Sequence, residues 1–363
     1  MKFAHFAHVW GKAGMTPAQR YAQLWRELQL CDELGFDYGF CVEHHFWAHE
    51  SWMTDPNIYV TAAAARTKRI RLGAMGYIVP LHHPLRLAEE IAQTDQTIEG
   101  RLEVGLVSGV APAMFGPFGG DFMNRRARTI EFMNLLKVAY TDDMKGFDFK
   151  GPYHEFKGVK LSINPYQRPY PPIWLETRDP ATLEFCAKEG LNTGYFMVFS
   201  REETAPKYKV FIEQWKKAGR PGVPNIGYST VVYVDESDKK ARETALYEAS
   251  RAYRGFFPPT DSEEELKVLQ DKQAEMFDRI GDVAAARNLR HLLDPDYLME
   301  NDLVIIGAPD TVEKKLRSLS VSGVFNTYLG EFNFGNLPEP DLMRSIRLFG
   351  EHVMPKLRGF EPF

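Results

Sequence analysis

The sequence predicts an α/β fold, a (β/α)8 TIM barrel with a lid-like insertion, and three observations support this prediction. Strand-like and helix-like segments alternate along most of the 363 residues. The alternation amounts to about eight βα units, which favours a closed barrel of parallel strands. The ionisable triplet Glu43-His44-His45 directly follows a short apolar run, as expected at the rim of such a barrel. We expect residues 1–363 to form a single domain.

The strands are predicted from short runs of apolar, β-branched and aromatic residues. The helices are predicted from apolar stripes at helical spacing and from end signals, such as Pro17 at the start of the first helix and Gly35 at its end. The predicted strands are 3–9, 38–42, 71–79, 102–107, 173–175, 194–199, 226–234 and 326–329. The predicted helices begin near residues 17, 55, 84 and 122, and later helices cover 201–218, 236–254, 309–320 and 338–353.

Two segments depart from this alternation. Residues 150–161 have the pattern of a small hairpin. Residues 258–301 are charged, long and outside the repeat, and they begin with Pro258-Pro259-Thr260-Asp261. We interpret 258–301 as an insertion or a mobile lid, because long segments of this kind often close over active sites.

Composition excludes several classes of protein. The net charge of −5 and the absence of a basic stretch argue against nucleic-acid and anionic-membrane partners. No apolar run approaches the ~18 residues of a spanning helix, and the first residues enter a strand pattern without a signal-peptide core. The three cysteines are too few and scattered for a disulfide framework or zinc ribbon. We therefore expect a reduced, cytoplasmic enzyme.

The triplet Glu43-His44-His45 has a functional and a structural interpretation. At a barrel rim, the imidazoles can carry protons to or from a reacting ligand near neutral pH. Alternatively, the histidines cap backbone groups in an ordinary turn after a strand. The spacing of adjacent histidines is unusual for zinc and no fixed carboxylate partner is evident, so no metal site is predicted.

Three further segments are candidates for binding a cofactor. Glycines at 73 and 76 interrupt a predicted strand, which fits either a planar cofactor lying against the strand or tight packing against a helix. The loops beginning at Val107-Ser108 and at Glu176 offer hydroxyls, backbone amides and an arginine, which suit a phosphate. An ordinary N-cap at Asp179 explains the second loop equally well. Neither a dinucleotide fingerprint nor a Walker A sequence is present.

Six segments spread over nearly the whole chain form a specific combination: LGFDYGFCVEHHF (34–46), ARTKRIRLGAMGYIVPLHHPLRLAEE (65–90), TDQTIEGRLEVGLVSG (94–109), PPIWLET (171–177), VIIGAPDTVEKKL (304–316) and LMRSIRLFGEHVMPKL (342–357). In these segments the chain resembles the bacterial luciferase-like family of flavin-dependent monooxygenases, and most closely the α-subunit type. The resemblance implies a (β/α)8 barrel that holds FMN at the carboxyl ends of its strands.

The resemblance also implies a reaction and partners. Family members receive reduced FMN from a separate NAD(P)H:flavin reductase, react it with O₂ to a C4a-(hydro)peroxyflavin, and transfer one oxygen atom to a small organic substrate. The substrate here is expected to be apolar, and a homodimer through the second and third helices is expected. A light-emitting luciferase is not predicted.

Individual residues match the family pattern. His44 matches the histidine implicated in catalysis, with His45 its neighbour and Glu43 beside it. The resemblance implies a non-proline cis peptide at Met75-Gly76, beneath the flavin ring. It implies flavin or phosphate contacts from the acid and hydroxyl after strand five and from an arginine after strand four; these are Glu176, Thr177 and Arg126.

The chain also departs from the luciferase pattern. Val107-Ser108 stands where the luciferase α-subunit has a reactive cysteine followed by an arginine, so Arg178 is a candidate replacement for that arginine. Trp10, Tyr77 and His82, together with Phe6, are expected to shape a dry substrate pocket. Rival hypotheses are an F420-dependent oxidoreductase of the same fold, a non-catalytic flavin-binding subunit, and a metal-dependent hydrolase.

Overall fold

The computed structural model describes residues 1–140 and 145–363. Its strands, in chain order, are β1 (Lys2–Ala7), β2 (Tyr38–Cys41), β3 (Arg71–Ile78), β4 (Leu102–Val107), β5 (Phe147–Lys150), β6 (Glu155–Val159), β7 (Ile173–Leu175), β8 (Thr193–Phe196), β9 (Ile226–Val234), β10 (Val304–Gly307) and β11 (Thr327–Glu331). Its α-helices are α1 (Pro17–Leu34), α2 (Pro56–Ala64), α3 (Pro84–Thr97), α4 (Pro112–Phe115), α5 (Arg125–Ala139), α6 (Pro180–Glu189), α7 (Arg201–Lys217), α8 (Asp238–Arg254), α9 (Glu263–Arg279), α10 (Val283–Arg290), α11 (Pro295–Glu300), α12 (Pro309–Gly323), α13 (Glu339–Leu348) and α14 (Met354–Leu357).

The parallel strands form a ring. Strands pair in the order β9-β11-β1-β2-β3-β4-β7, and β8 pairs with β9. A parallel bridge between Trp174 of β7 and Asn192, just before β8, connects the two ends. These eight strands are the eight predicted from sequence, and the α/β barrel prediction is confirmed. Because all of them run parallel, their carboxyl ends lie on one edge.

One strand of the sheet was missed by the sequence prediction. β10 pairs with the second half of β9, at Val231 to Val234, whereas the first half of β9 pairs with β8. β10 has four residues and follows the inserted segment, so it lies outside the alternation that identified the other strands. It extends the sheet beyond the eight-stranded ring.

Local sequence signals explain where the helices begin and end. At the start of α1, Thr16 and Gln19 form a capping box, in which each side chain bonds the other residue's backbone N–H. Gly35 ends α1 in the left-handed conformation, with φ 84°, which glycine adopts without steric cost. Leu24 and Leu28 on the inner face of α1 are fully buried against the barrel.

The two segments outside the alternation are a hairpin and a group of helices added to the barrel. β5 and β6 form an antiparallel hairpin, as predicted. The segment between α8 and β10 contains three helices, α9 to α11. Among the described residues, no helix combines the length and apolar character needed to span a bilayer.

Candidate active site at the carboxyl ends of the strands

Strand register brings the predicted cofactor residues to one level of the rim. Ile78 of β3 pairs with Val107 of β4, and Leu106 pairs with Leu175 of β7. The next residues along these strands, Val107-Ser108 and Glu176-Thr177, therefore lie side by side at the carboxyl edge. The sequence reasoning placed these loops individually, and the parallel pairing brings them together.

Glu43 is the buried centre of the triplet. Its carboxylate accepts hydrogen bonds from His45 Nε2 at 2.9 Å, His82 Nε2 at 2.8 Å and the Ile78 backbone N–H at 2.8 Å. Burial alone raises the pKa of Glu43, but the hydrogen bonds from His45 and His82 outweigh it and hold the pKa at about 2. Burial lowers the pKa of His82, but its own hydrogen bond to Glu43 and the charge of Glu43 raise it above the ordinary value.

His44 faces away from this cluster and has its own carboxylate. Its Nδ1 lies 2.9 Å from Oε2 of Glu50, and its backbone N–H bonds the carbonyl of Met53 at 2.9 Å. Glu50 is 4% exposed. A carboxylate bonded to Nδ1 orients the ring and leaves Nε2 for a ligand. The triplet thus splits, since His45 and His82 bond Glu43 while His44 bonds Glu50.

Ligand atoms of His8, His44 and Glu50 lie within 4.8 Å of one another. Three such groups could in principle surround a metal ion. However, the distance from His44 Nδ1 to Oε2 of Glu50 is that of a hydrogen bond. We therefore interpret this cluster as a hydrogen-bonded network.

The Met75–Gly76 peptide bond is cis, at the position that the resemblance implies. The glycines nearby have a packing role toward a neighbouring strand. A Cβ at Gly73 would lie 2.1 Å from the carbonyl oxygen of Glu103, and one at Gly76 would lie 2.4 Å from that of Gly105. These glycines allow the backbones of β3 and β4 to approach, so their close protein neighbour is a strand rather than a helix, and the cofactor contact of Gly76 stays a prediction.

On the other side of the rim, Ser108 lies next to α5. Its hydroxyl is 3.1 Å from that of Thr129, which itself donates to the carbonyl of Arg125. Arg125 is held by carbonyl oxygens and lies over the ring of Phe122. Arg126, one residue further, is exposed, and its charge adds to the hydrogen bonds that lower the pKa of Asp179 at the start of α6.

Glu176 lies open to the mouth of the barrel. Its side chain is exposed, yet the surrounding walls raise the pKa of its carboxyl to about 7, against the opposing charges of His8 and Arg178. The hydroxyl of Thr177 accepts the backbone N–H of Asp179 at 3.1 Å.

Arg178 is engaged by the protein rather than open to the rim. Its guanidinium bonds Asp282, at the start of α10 in the inserted segment, and lies 3.6 Å from the ring centroid of Phe199. The side chain of Arg178 is 13% exposed. Arg178 thus has protein partners in this structure, and the hypothesis that it replaces the arginine missing after β4 stays a prediction.

The three candidate pocket residues have different surroundings. His82 bonds Glu43, as described above. Trp10 is 3% exposed, and its indole N–H donates to Glu331 at 2.6 Å. Tyr77 is fully buried, and its hydroxyl donates to Asn57 at the start of α2, 2.8 Å away. Since this places the Tyr77 hydroxyl in the helix layer, we leave Tyr77 out of the proposed pocket.

Sequence reasoning missed His8, Glu50 and Glu331. His8 follows β1 and Glu331 ends β11, so both are ionisable residues at the carboxyl end of a strand. The rule that identified Glu43 to His45 could have identified them. The predicted strands were drawn one or two residues too long at β1 and too short at β11, which concealed the signal.

The chain belongs to the luciferase-like monooxygenase family, whose model matches residues 1–326. It is 34% identical to protein y4wF of Sinorhizobium fredii, over 93% of this chain and 92% of that protein. It is 27% identical to the oxygenase component of flavin-dependent trigonelline monooxygenase from Acinetobacter baylyi, over 68% of each. It is 22% identical to the alkanal monooxygenase alpha chain of Photorhabdus laumondii, over 99% of this chain and 98% of that protein.

Solved structures share the fold over nearly the full chain. Monooxygenase RslO1 from Streptomyces bottropensis superimposes with a TM-score of 0.79 at 26% identity, covering 98% of this chain and 99% of that one. The oxygenating constituent of 3,6-diketocamphane monooxygenase from Pseudomonas putida, in complex with FMN, gives 0.77 at 20% identity, with 98% of each covered. An F420-dependent secondary alcohol dehydrogenase gives a TM-score of 0.70 at 19% identity, covering 98% of this chain and 99% of that one. The predicted family is confirmed, and this fold accommodates both cofactors.

Proposed function

We propose that the protein is a monooxygenase that uses reduced FMN and O₂ to oxygenate a small apolar organic substrate. The observation that supports the proposal is the set of side chains at the carboxyl ends of the barrel strands. Carboxylate-held imidazoles at the ends of β1 and β2 lie at the same carboxyl edge of the ring as the hydroxyls and the open carboxyl that follow β4 and β7. Proton-carrying groups on one side and flavin-binding groups on the other form a site for flavin chemistry.

The residues present fit FMN. Ser108, Thr177 and the exposed Arg126 offer two hydroxyls and a cation for the phosphate, beside the N-terminus of α6. Glu176 is free at the mouth to accept a hydrogen bond from the flavin ring, and Met75 would lie beneath that ring. Reduced FMN supplies the two electrons with which one atom of O₂ becomes water and the other enters the substrate.

The chain's own residues would manage protons and water. His44, held at Nδ1 by Glu50, can give or take a proton at Nε2. Glu43 fixes His45 and His82 and so forms a rigid wall between β2 and β3. Phe6 and Trp10, 6% and 3% exposed, line the β1 side with apolar surface, which would exclude water from the reaction.

We also propose that a separate NAD(P)H:flavin reductase supplies the reduced FMN. Its support is the relative from Acinetobacter baylyi, which is named as the oxygenase component of a larger system. We further propose a homodimer through α2 and α3, where Ile58 is 68% exposed. Light scattering on the purified protein would give its mass, and a monomer at all concentrations would contradict the dimer.

Anaerobic titration with reduced FMN and with reduced F420 tests the choice of cofactor. We expect saturable binding of FMN and much weaker binding of F420, because the sequence has no strongly basic stretch that could hold the poly-anionic F420 tail. Tight binding of F420 alone would contradict the proposal and favour hydride transfer.

Isotopically labelled O₂ tests the reaction. With reduced FMN and decanal, a probe from the aldehyde class named for one relative, or with a bicyclic ketone, we expect one labelled oxygen atom in the product. His44→Gln should abolish incorporation, whereas His352→Gln, an exposed residue far from the rim, should not. Oxidation of reduced FMN with no binding to the protein would contradict the proposed function. Turnover by the isolated chain would exclude a non-catalytic subunit.

A further inference from the structure

His8 is an ionisable residue at the barrel mouth that neither the sequence prediction nor the family resemblance identified. It follows β1 directly and is 5% exposed. Its ring lies among those of Phe6, Trp10 and Phe256, with centroid distances of 5.3, 4.9 and 6.0 Å. The ring is therefore held in place by apolar neighbours while its two nitrogens remain available for polar contacts.

Glu331 determines which nitrogen of His8 carries the proton. Its Oε1 lies 2.8 Å from His8 Nδ1, 3.3 Å from the His8 backbone N–H and 2.6 Å from the indole N–H of Trp10. The backbone N–H and the indole can only donate, so this oxygen is an acceptor. A carboxylate with this role accepts a hydrogen bond from Nδ1–H, so Nδ1 keeps its proton and Nε2 of His8 is left for a different partner.

His8 lies next to the other imidazole of the mouth. Its ring centroid is 5.5 Å from that of His44, and a ligand atom of each lies within 4.8 Å of the other and of Glu50. Both imidazoles are held at Nδ1 by a buried carboxylate, Glu331 for His8 and Glu50 for His44. Two neighbouring imidazoles that are each held at Nδ1 both have Nε2 left to contact a ligand at this edge.

We propose that His8, positioned by Glu331, is a second proton-carrying catalytic residue of this site, acting beside His44 on the oxygen atoms of the bound reactants. This inference rests on the proposed function. Protonated His8 would release the proton of Nε2 to an oxygen that becomes negative during the reaction. Water in the mouth would then return a proton to the neutral ring.

Charged groups from several elements face His8. They are Glu331 on β11, Glu50 and His44 after β2, and Glu176 after β7. Burial alone lowers the pKa of His8, but the charge and hydrogen bond of Glu331, followed by the charges of Glu50 and Glu176, raise it above the ordinary value. A larger fraction of His8 is thus protonated at neutral pH than of a free histidine.

Variants of His8 and Glu331 test this role by activity. We expect His8→Gln to bind reduced FMN within about twofold of wild type but to lose about 10²-fold or more in turnover. The pH profile of His8→Gln should lack the decrease in turnover that accompanies deprotonation of His8 in the wild type. Added imidazole should partly restore the turnover of His8→Ala. In Glu331→Gln, the same decrease should move to lower pH, because the charge that favours protonation is gone.

The control is His352→Gln, which should match wild type in rate and pH profile. Turnover by His8→Gln within about twofold of wild type, with an unchanged profile, would overturn the proposal. A second combined result would also overturn the proposal. In it, added imidazole fails to restore the turnover of His8→Ala, and the pH profile of His8→Gln still shows the decrease in rate at high pH. This result would indicate that His8 has a packing role only.

A cofactor-free measurement separates this inference from the proposed function. Histidine ring NMR on the wild-type protein identifies His8 by the signal missing from His8→Gln. We expect neutral His8 to carry its proton on Nδ1 and to titrate above the ordinary value, and to titrate lower in Glu331→Gln. A proton on Nε2, or a titration unaffected by Glu331→Gln, would overturn the role of Glu331 even if flavin binding fails for other reasons.

Discussion

Arg178, at the end of β7, forms an ion pair with Asp282, at the start of α10 in the segment inserted between α8 and β10. The side chains are 13% and 9% exposed. Arg178 also lies over the ring of Phe199, and Asp282 caps α10 by accepting the backbone N–H of Ala285. The pair connects the inserted segment to the rim of the barrel, one residue from the flavin-binding candidate Thr177.

The first prediction concerns this pair. Asp282→Asn removes the charge that faces a mostly buried guanidinium, so we expect the free energy of unfolding to fall by about 1–3 kcal/mol. Proteases should also cleave the inserted segment faster. Urea unfolding and limited proteolysis measure both effects. Glu275→Gln, in the exposed pair with Arg279 on α9, is the control and should change stability by less than about 0.5 kcal/mol. Equal effects of the two variants would contradict the proposed connection.

The second prediction concerns Glu43 and acid stability. Its folded pKa of about 2 is below the ordinary 4.5, so its contribution to stability is present above about pH 4.5 and is lost as pH falls towards 2. A shift of this size corresponds to about 3 kcal/mol. Glu43→Gln should therefore be less stable at neutral pH and should lose less stability between pH 4.5 and 2 than wild type.

In Glu43→Gln the unfolding free energy should still fall with pH, but less steeply than in the wild type, because Glu27 has a similarly lowered pKa of about 2. Unfolding free energies measured across this range provide the comparison. Glu184→Gln, exposed on α6, is the control and should follow wild type. A slope unchanged in Glu43→Gln would show that the histidine contacts of Glu43 do not contribute to folding.

The third prediction separates phosphate from ring contacts. Arg126→Ala should weaken FMN binding about 10- to 150-fold, since one charge-assisted hydrogen bond contributes about 1.5–3 kcal/mol. Binding of riboflavin, which has no phosphate, should be unchanged. Ser108→Ala should have a smaller effect with the same selectivity, because its hydroxyl makes a neutral bond. Arg86→Ala, 75% exposed in its side chain on α3, is the control. Equal loss for FMN and riboflavin would exclude a phosphate contact.

The fourth prediction concerns the approach of β3 and β4. A Cβ at Gly105 would lie 2.1 Å from the carbonyl oxygen of Ala74, so Gly105→Ala must displace a backbone. We expect a loss of about 1–3 kcal/mol or more. Gly116→Ala is the matched control, since no atom lies within 4 Å of a Cβ there and its φ is −52°. Thermal unfolding distinguishes them, and similar midpoints would contradict the packing argument.

Much of the site could be found in the sequence because strand ends are local features. Glu43 to His45, Val107-Ser108 and Glu176-Thr177 each follow an apolar run within the same short window, and parallel strands bring such ends to one edge. The eight ring strands were predicted for the same reason. β10 was missed because it is four residues long and follows three inserted helices instead of a regular connection.

The sequence by itself therefore determined the barrel and the edge that carries the candidate site, since hydrophobic period, helix caps and strand ends depend on neighbouring residues. Only the tertiary structure decided which groups bond one another. His8 and Glu331 are 323 residues apart and meet because β11 pairs with β1 as the ring closes. From the sequence Arg178 was a candidate for a phosphate contact, and only the fold shows that it pairs with Asp282. Tyr77 was assigned to the pocket, but the pleat of β3 directs its hydroxyl to Asn57. Such partners depend on ring closure and strand register, which no local pattern encodes.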